Sequence, residues 1–311
     1  MPQLSRRGFG LALAGTALAQ GNLPQDNQDT GLTFRSDTRE VLLHATVIDR
    51  KGAFVTNLPR DAFKIFEDGA EQKLKVFRRE DVPVSMGLIV DNSGSMRRKR
   101  KKVEDAAIAL VKASNPQDEI FIVNFNDVAY RDADLTSDAK KLEEGLSRID
   151  AKGGTAMRDA LTLSMDYILA KGKRAKKVLL IVTDGDDTAS SDSNTLEKLL
   201  AKAQRSEVLI FAIGILNEED RRAAKRAQRA MELLTKQSGG IAHFPKDVES
   251  VEEVALQIAK EIRSQYIIAY SPTKPDDGAY RQLKVSVKGS GLTVRTRSGY
   301  YAKSDTKPAT P

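Results

Sequence analysis

Residues 84–95 read VSMGLIVDNSGS, and this stretch decides the fold of the chain. Its first seven residues form a nearly continuous apolar run, which is typical of a strand buried on both faces of a parallel sheet. The run ends in a carboxylate and two hydroxyls at alternate positions, namely Asp91, Ser93 and Ser95. Because ligands gather at the carboxyl ends of strands in open α/β sheets, the stretch predicts a ligand site as well as a sheet.

On either side of this stretch, from residue 82 to residue 264, apolar runs alternate with segments of helical periodicity. We predict strands at 84–90, 119–124, 178–183 and 208–213. We predict helices at 102–113, 142–149, 156–170, 194–203, 223–237 and 251–262. Strands that alternate with helices indicate an α/β domain, with a doubly wound, mostly parallel sheet that carries helices on both faces.

Two flanking segments have an antiparallel β character instead. Before the α/β domain we predict strands at 39–49, 63–66 and 74–77, and after it we predict strands at 266–270, 280–287 and 292–297. Short turns join the strands within each segment. Each segment alone is too small to cover its own apolar face. We therefore expect residues 31–80 and 266–302 to pair into one smaller β-sandwich-like module, with the α/β domain of residues 82–264 inserted between its halves. Two separate small sheets packed on the α/β domain are the alternative.

The two ends of the chain read as processing and linker segments. Two arginines, Arg6 and Arg7, precede a weakly apolar run that ends in the small-residue pattern ALA at 17–19. Residues 1–19 therefore resemble a twin-arginine export signal, with a disordered basic terminus as the alternative. The run is much shorter than the ~20 residues of a membrane span, and we expect no span elsewhere. Residues 20–30 read as a linker and 303–311 as a disordered tail, so we expect an exported protein, periplasmic or secreted.

The composition excludes several classes of site. The 311 residues contain no cysteine, which rules out disulfides, thiolate metal sites and cysteine nucleophiles. Aromatic residues are only 5% and tryptophan is absent, which argues against a reader that stacks bases or sugars on aromatic rings. The net charge of +7 is a mild basic excess, typical of a solvated surface. We therefore expect no nucleic-acid partner.

Two further segments bring oxygen donors to the predicted site. Thr155 follows two glycines at the start of a predicted helix, and Asp184 directly follows the predicted strand at 178–183. If both buried strands are central and parallel, Asp184 lies at the same sheet edge as Asp91. Oxygen donors without nitrogen or sulfur favour Mg²⁺, or Mn²⁺ or Ca²⁺, over zinc or copper. The sequence thus predicts a cation site made of Asp91, Ser93, Ser95, Thr155 and Asp184.

The pattern Asp-x-Ser-x-Ser, then Thr, then Asp resembles the metal-ion-dependent adhesion site of the von Willebrand factor type A domain family, whose Rossmann-like fold would span roughly residues 82–264. The flanking segments resemble a bacterial exported subgroup of that family. The matching motifs are VIDRKG at 47–52, DAF at 61–63, EDG at 67–69, YSP at 270–272 and RSGY at 297–300. The resemblance implies direct binding of the cation by the two serines and, directly or through water, by Thr155. It implies that both aspartates act mostly through waters.

The resemblance also implies a function. One coordination position would stay open, and an Asp or Glu carboxylate of a partner protein would complete it. We therefore expect a cation-dependent protein-binding module and not an enzyme, with no catalytic residues. The alternatives are a scaffold of an envelope assembly with a structural metal and, less favoured, a metal-dependent phosphohydrolase. The last would require a second aspartate where Ser93 stands, and no phosphate-binding glycine loop is present.

A basic run, RRKRKK at residues 97–102, directly follows the motif. A helix N-terminus disfavours cations, which makes this an unusual place for such a run. We expect Arg97, Arg98, Lys99 and Arg100 to form a positive rim that steers acidic partners to the site. The alternative is an exposed basic helix start without a role. Asp186 and Asp187 are expected to face solvent, and the sequence leaves the partner, the ion and the oligomeric state open.

Overall fold

The structure is a computed structural model and describes residues 40–79, 81–147, 151–216 and 220–303. The predicted leader at 1–19, the linker at 20–30, the start of the 31–80 segment and nearly all of the 303–311 tail lie outside these ranges. All described residues fall into one compact unit. Among them, no helix has both the length and the apolar character that crossing a membrane requires.

Within the described ranges the chain forms fourteen strands, six α-helices and two short 3-10 helices. The strands are β1 (Val41–Ile48), β2 (Phe63–Glu67), β3 (Ala70–Gln72), β4 (Leu74–Arg78), β5 (Val84–Asp91), β6 (Glu119–Phe125), β7 (Ala129–Thr136), β8 (Lys176–Thr183), β9 (Val208–Gly214), β10 (Ala242–His243), β11 (Tyr266–Tyr270), β12 (Tyr280–Val287), β13 (Thr293–Arg295) and β14 (Gly299–Tyr301). The helices are α1 (Arg100–Ala113), α2 (Ala139–Ser147), α3 (Met157–Lys171), α4 (Leu196–Arg205), α5 (Arg221–Ser238) and α6 (Val251–Arg263).

A six-stranded sheet forms the centre of the fold, in the order β10-β9-β8-β5-β6-β7. Every neighbouring pair is parallel except β6 and β7, which are antiparallel. Strands β5 and β8 lie side by side in the middle, with Val90 opposite Val182. Their carboxyl ends therefore meet at one edge of the sheet, which confirms the predicted α/β fold with a mostly parallel sheet.

Helices cover both faces of this sheet, as the sequence predicted. On one face, Leu88 and Val90 pack in a cluster with residues of α1, α2 and α6. On the other face, Ile89 packs in a second cluster with residues of α3, α4 and α5. Successive side chains of a strand point to opposite faces, so a strand covered on both sides must be apolar at nearly every position. That requirement explains the nearly continuous apolar run from which the fold was predicted.

The flanking segments form two further four-stranded sheets, in the orders β13-β1-β11-β4 and β14-β12-β2-β3. In each sheet a strand from before the α/β part pairs antiparallel with one from after it: β1 with β11, and β2 with β12. Side chains of both sheets share one apolar cluster, which includes Leu43, Ile65 and Tyr266. The buried carboxylate of Glu67 accepts hydrogen bonds from the Tyr270 and Tyr300 hydroxyls at 2.5 and 2.9 Å. The bond from Tyr270 links β11 to β2 and so joins the two sheets across the cluster, whereas the bond from Tyr300 lies within one sheet.

Some elements differ from the sequence-based expectation. Strand β7 was not predicted, because it lies at the edge of the central sheet and its residues are charged and half-exposed, so no apolar alternation marks it. The short strands β3, β10 and β14 were also missed. The strand predicted at 292–297 is only the three residues of β13. Helix α1 begins at residue 100 and not at 102, which places part of the basic run inside the helix.

Candidate metal centre

Three segments meet at the carboxyl edge of the central sheet: the end of β5, the loop before α3 and the end of β8. Backbone hydrogen bonds hold the first two together, since Gly94 N donates to Gly153 O at 3.1 Å and Lys152 N donates to Asn92 O at 3.0 Å. Gly153 adopts a positive φ of 75°, a conformation that side chains strain. This geometry turns the loop sharply and aims Thr155 toward the strand ends.

The side-chain oxygens of the predicted site lie close together. Ser93 Oγ and Ser95 Oγ are 3.0 Å apart, and Ser95 Oγ donates a hydrogen bond of 2.7 Å to Asp184 Oδ1. Asp91 Oδ1 accepts from the backbone N–H of Ser93 at 2.7 Å. The hydroxyl of Thr155 lies 3.8 Å from the position that a β-carbon on Gly185 would take. The structure thus brings all five residues to one edge, while their role as cation ligands stays a prediction.

Asp91 is the most deeply buried member of the set, with no exposed surface. Thr183 lies at the end of the adjacent strand β8, and its Oγ1 donates a hydrogen bond of 2.6 Å to Asp91 Oδ2. Burial raises the pKa of Asp91 to about 6, and the charge of Asp184 acts in the same direction; the hydrogen bonds from Thr183 and Ser93 oppose the shift. A cation beside this carboxylate would favour its charged form. Thr183 was not singled out from the sequence, although it directly precedes Asp184.

The sequence-based hypothesis placed Lys99 in an open positive rim. The structure contradicts this, because the Lys99 side chain is paired within the site. Its ammonium donates to Asp184 Oδ2 at 2.7 Å and to the backbone oxygen of Ile215 at 3.1 Å. The Lys99 side chain is 24% exposed and that of Asp184 is fully buried. The ion pair forms because a buried carboxylate requires a partner and Lys99, which caps the start of α1, is within reach of it. Lys99 therefore belongs to the site and not to its surroundings.

Arg100 is also misplaced in the predicted rim, because it is buried with only 4% of its surface exposed. Its guanidinium donates to Asn92 Oδ1 at 2.7 Å, to Asn124 Oδ1 at 3.3 Å and to the backbone oxygen of Leu146 at 2.8 Å. Burial lowers the pKa of Arg100 to about 10, which still leaves it charged at neutral pH. The side chain turns inward at the first residue of α1 and braces the loop that carries Ser93. Only Arg97 and Arg98 of the predicted rim are exposed.

The loop after β8 holds Thr155 in place. Thr188 Oγ1 accepts from Thr155 N at 3.0 Å, and Thr188 N donates back to Thr155 O at 2.9 Å. Asp187, expected to face solvent, is instead nearly buried, and it accepts from Arg158 N at 2.7 Å near the start of α3. Asp186 is paired with Arg226 at 2.5 Å. Neither carboxylate is left free to join the cation ligands.

The donor set fits a small hard cation. Neighbouring oxygens of an octahedral shell at ~2.1 Å from Mg²⁺ lie about 3 Å apart, which is the separation of the two serine hydroxyls. In the described ranges, no group of three or more His, Cys, Asp or Glu side chains is arranged for a metal. The candidate site instead combines three hydroxyls with two carboxylates. Such a set suits a hard oxygen-seeking cation.

Comparisons with known proteins agree with this fold. Residues 86–186 match the family model of the von Willebrand factor type A domain. Mouse (Mus musculus) integrin alpha-11 is 31% identical over 112 residues, which are 34% of this chain and 9% of the integrin. The human protein of the same name is 36% identical over 87 residues, or 27% of this chain and 7% of its own length. The chain thus spans less than a tenth of the length of either relative.

A solved structure extends the similarity beyond the matched segment. The structure of a von Willebrand factor type A protein from Catenulispora acidiphila is 14% identical in sequence, with a TM-score of 0.51. The alignment covers 88% of this chain and 77% of that chain. At this level of identity the likeness concerns the fold alone. Taken together, the matched residues and the shared fold support a von Willebrand factor type A domain within this chain.

Proposed function

We propose that this protein is an exported, divalent-cation-dependent protein-binding module that captures an Asp or Glu carboxylate of a partner. The observation that carries the proposal is the close approach of Ser93 Oγ, Ser95 Oγ and Asp184 Oδ1, separated by 3.0 and 2.7 Å at the carboxyl edge of the sheet. Domains of this type often mediate adhesion between proteins, and the similarity to an integrin supports a binding role here.

Five residues would hold the cation, which we propose to be Mg²⁺, with Mn²⁺ or Ca²⁺ as substitutes. The hydroxyls of Ser93, Ser95 and Thr155 supply neutral oxygens, while Asp91 and Asp184 supply the negative charge. When bound, the ion would act as a Lewis acid that accepts one more oxygen ligand from the partner. Thr183 holds Asp91 in orientation, and Thr188 fixes the backbone of Thr155.

The surface around the site favours an acidic partner. Arg97 and Arg98 are exposed beside the motif, and they retain the steering role proposed for the basic run. The first turns of α5 add further exposed cations, at Arg222, Lys225 and Arg229. Arg226 of the same helix contacts Asp186, two residues beyond Asp184, so this helix face lies beside the site.

A binding role is favoured over an enzymatic one. Asp91, which invites comparison with a phosphohydrolase nucleophile, is fully buried and engaged by Thr183 and Ser93. His44 lies in β1, outside the central sheet, and His243 lies in the edge strand β10, separated from β5 by two strands. Burial lowers the pKa of both histidines, which suits neutral structural side chains.

We also propose that the flanking segments form one β-sandwich-like module with the α/β domain inserted between its halves. The pairing of β1 with β11 and of β2 with β12, together with the shared apolar cluster, supports this organisation. The similarity to the Catenulispora structure covers 88% of the chain, more than the α/β part alone. The leader at 1–19 and the export it implies rest on the sequence pattern.

The proposal is tested by cation binding and by capture from an envelope extract, each with wild type and Asp91→Ala. Asp192→Ala, which removes an exposed carboxylate from a loop of the same domain, is the matched control. We expect calorimetry to show binding of Mg²⁺ or Mn²⁺ to wild type and to Asp192→Ala but not to Asp91→Ala. Capture of a partner should be abolished by Asp91→Ala and also by chelator. Capture that ignores both chelator and Asp91→Ala would favour the scaffold role. Turnover of a phosphoester that depends on Asp91 would favour the hydrolase.

A further inference from the structure

We propose that Lys99 is an internal counter-cation of the site, which competes with the metal for Asp184 and thereby sets how tightly the cation is held. The inference rests on the proposed function, since it concerns the same site. It assigns to one residue of the basic run a role different from partner steering. The competitor is part of the chain, so it is always present at the carboxylate.

The first observation is that one short segment occupies both oxygens of Asp184. Ser95 Oγ donates to Oδ1 and Lys99 Nζ donates to Oδ2, each at 2.7 Å. The two donors stand four positions apart, at either end of the tight turn that leads into α1. The Asp184 side chain has no exposed surface, so its charge is satisfied from within the protein and not by water. A buried carboxylate without such a partner would be strongly destabilising.

The second observation is that Lys99 is held at both sides. Its ammonium also donates to the backbone oxygen of Ile215, just beyond β9, at 3.1 Å. Ile215 is itself buried, and its N–H donates to Thr183 O at 2.9 Å. The ammonium is therefore fixed between the ends of β8 and β9, with three-quarters of the side chain covered. The charge of a surface lysine that moves freely in solvent is strongly screened, whereas the charge of a fixed and mostly covered lysine is screened much less.

Electrostatics then gives the direction of the effect. A divalent cation held by the hydroxyls of Ser93 and Ser95 would lie near Asp184 and hence near the ammonium on its other oxygen. Like charges repel, and they do so more strongly where water is excluded. Lys99 must therefore weaken cation binding relative to an uncharged residue of the same size. Any gain in cation affinity from removing this charge is the measure of the competition.

The charges of the inner site also bear on the partner. Asp91 and Asp184 carry two negative charges, and Lys99 and Arg100 carry two positive charges within or beside the same edge. The four nearly cancel, so a bound divalent cation adds an uncompensated double positive charge. An anionic group of the partner would then be attracted more strongly than to a site whose aspartates were unpaired. Lys99 thus lowers the affinity of the site for the cation and, once the cation is bound, strengthens the attraction of an anionic ligand.

The test is calorimetric titration with Mn²⁺ alone, which requires no knowledge of the partner. The variants are Lys99→Met, which keeps the length and removes the charge, and Lys99→Arg, which keeps the charge. Lys102→Met is the matched control, because it removes an exposed charge of the same basic run three positions away. Asp91→Ala identifies binding at the proposed site.

We expect Lys99→Met to bind Mn²⁺ about tenfold more tightly than wild type, or better. Lys99→Arg and Lys102→Met should stay within about threefold of wild type, because an arginine retains the charge and an exposed charge is screened. The inference is overturned if Lys99→Met binds Mn²⁺ no more tightly than wild type while Asp91→Ala abolishes binding. The proposed function stays intact in that case. If neither wild type nor Lys99→Met binds Mn²⁺, or Asp91→Ala binds as well as wild type, the proposed function fails and the inference falls with it.

Thermal unfolding supplies a second readout that does not depend on an affinity. In chelator, Lys99→Met leaves Asp184 buried without its ion pair, so its melting temperature should lie below that of wild type. At saturating Mn²⁺ the difference should close or reverse, because the metal then takes the place of the ammonium. A deficit of the same size with and without Mn²⁺ would mean that Lys99 is only structural, and would overturn the inference.

Discussion

Thr183 Oγ1 lies 2.6 Å from Asp91 Oδ2 and donates a hydrogen bond to it, across 92 positions of sequence. Both atoms are buried at the carboxyl ends of the adjacent strands β8 and β5. The bond occupies the oxygen of Asp91 that does not accept from Ser93 N, so the carboxylate is held at both ends. The orientation of the deepest carboxylate of the site is therefore set by a residue that would not itself contact the cation.

Thr183→Val should weaken cation binding while leaving the fold intact. Valine has nearly the same shape, and it removes only the hydroxyl that orients Asp91. A hydrogen bond to a charged group contributes about 1.5–3 kcal/mol, so we expect the affinity for Mn²⁺ to fall about tenfold or more. Calorimetry gives the affinity, and circular dichroism checks that the fold is retained.

Thr235→Val is the matched control for that change. Thr235 is equally buried, but its hydroxyl donates to Met231 O within helix α5. Its loss should cost some stability and leave the affinity for Mn²⁺ unchanged. If both variants weaken Mn²⁺ binding alike, the effect comes from general loosening, and Thr183 has no orienting role.

Gly153→Ala should weaken cation binding through the loop that carries Thr155. A β-carbon at Gly153 would lie 2.1 Å from Asp127 Oδ2, and φ is +75°. The Asp127 side chain must move, which breaks its 2.7 Å hydrogen bond from Gly154 N. We expect a loss of Mn²⁺ affinity of roughly threefold to tenfold, together with about 1 kcal/mol of stability.

Gly52→Ala separates backbone strain from the loop effect. Gly52 has a similar φ of +81°, but no atom lies within 4 Å of its would-be β-carbon. This variant should lose about 1 kcal/mol of stability for the same conformational reason and bind Mn²⁺ as wild type does. Unchanged Mn²⁺ binding by Gly153→Ala would show that the loop tolerates the displacement of Asp127.

Arg100→Met should destabilise the protein, whereas Arg98→Met should not. Arg100 is the donor to Asn92, Asn124 and Leu146 O, and its removal leaves three buried acceptors without it. We expect the free energy of unfolding to fall by about 2–4 kcal/mol, against a change within about 0.5 kcal/mol for the exposed Arg98. Urea denaturation measures both. Equal stability of the two variants would contradict the bracing role of Arg100.

Lys176 gives the stability of the protein a specific pH dependence. Its ammonium is buried at the start of β8 and donates to the backbone oxygen of Ile262. Burial lowers the pKa of Lys176 from 10.5 to about 7, although nearby acidic groups oppose the shift. Between these two pH values the unfolded chain holds a proton that the folded protein has released. The free energy of unfolding should therefore rise with pH across this window, and this slope should vanish below about pH 7.

Lys176→Met isolates that contribution. The variant should be more stable than wild type by the largest margin at or below neutral pH, where wild type buries a charge. The margin should shrink as pH rises, by up to about 1.4 kcal/mol per pH unit. Lys284→Met, at an exposed position of β12, should track wild type at every pH. Urea denaturation over the window provides the curves, and parallel curves for wild type and Lys176→Met would refute the assignment.

The sequence predicted the centre of the fold, and it predicted which five polar residues meet at one edge of the sheet, because both signals are local and periodic. A strand buried on both faces must be apolar at nearly every position, and the central residues of β5 and β8 follow this rule. The basic run carried no such signal, because six consecutive like charges do not reveal which of them turn inward. Lys99 and Arg100 point inward because they donate to the buried oxygens of Asp184 and Asn92. These contacts depend on the tertiary structure, so the local sequence does not show them. The edge strand β7 was missed for a related reason, as nothing covers its outer side within the sheet.

The central claim is that the serine hydroxyls of the motif hold a divalent cation. The most direct measurement is an anomalous difference map from crystals of the protein grown with Mn²⁺. We expect one strong peak at the carboxyl edge of the sheet, about 2.1–2.4 Å from Ser93 Oγ and Ser95 Oγ. A map with no peak at this edge, or with its strongest peak at other residues, would contradict the account.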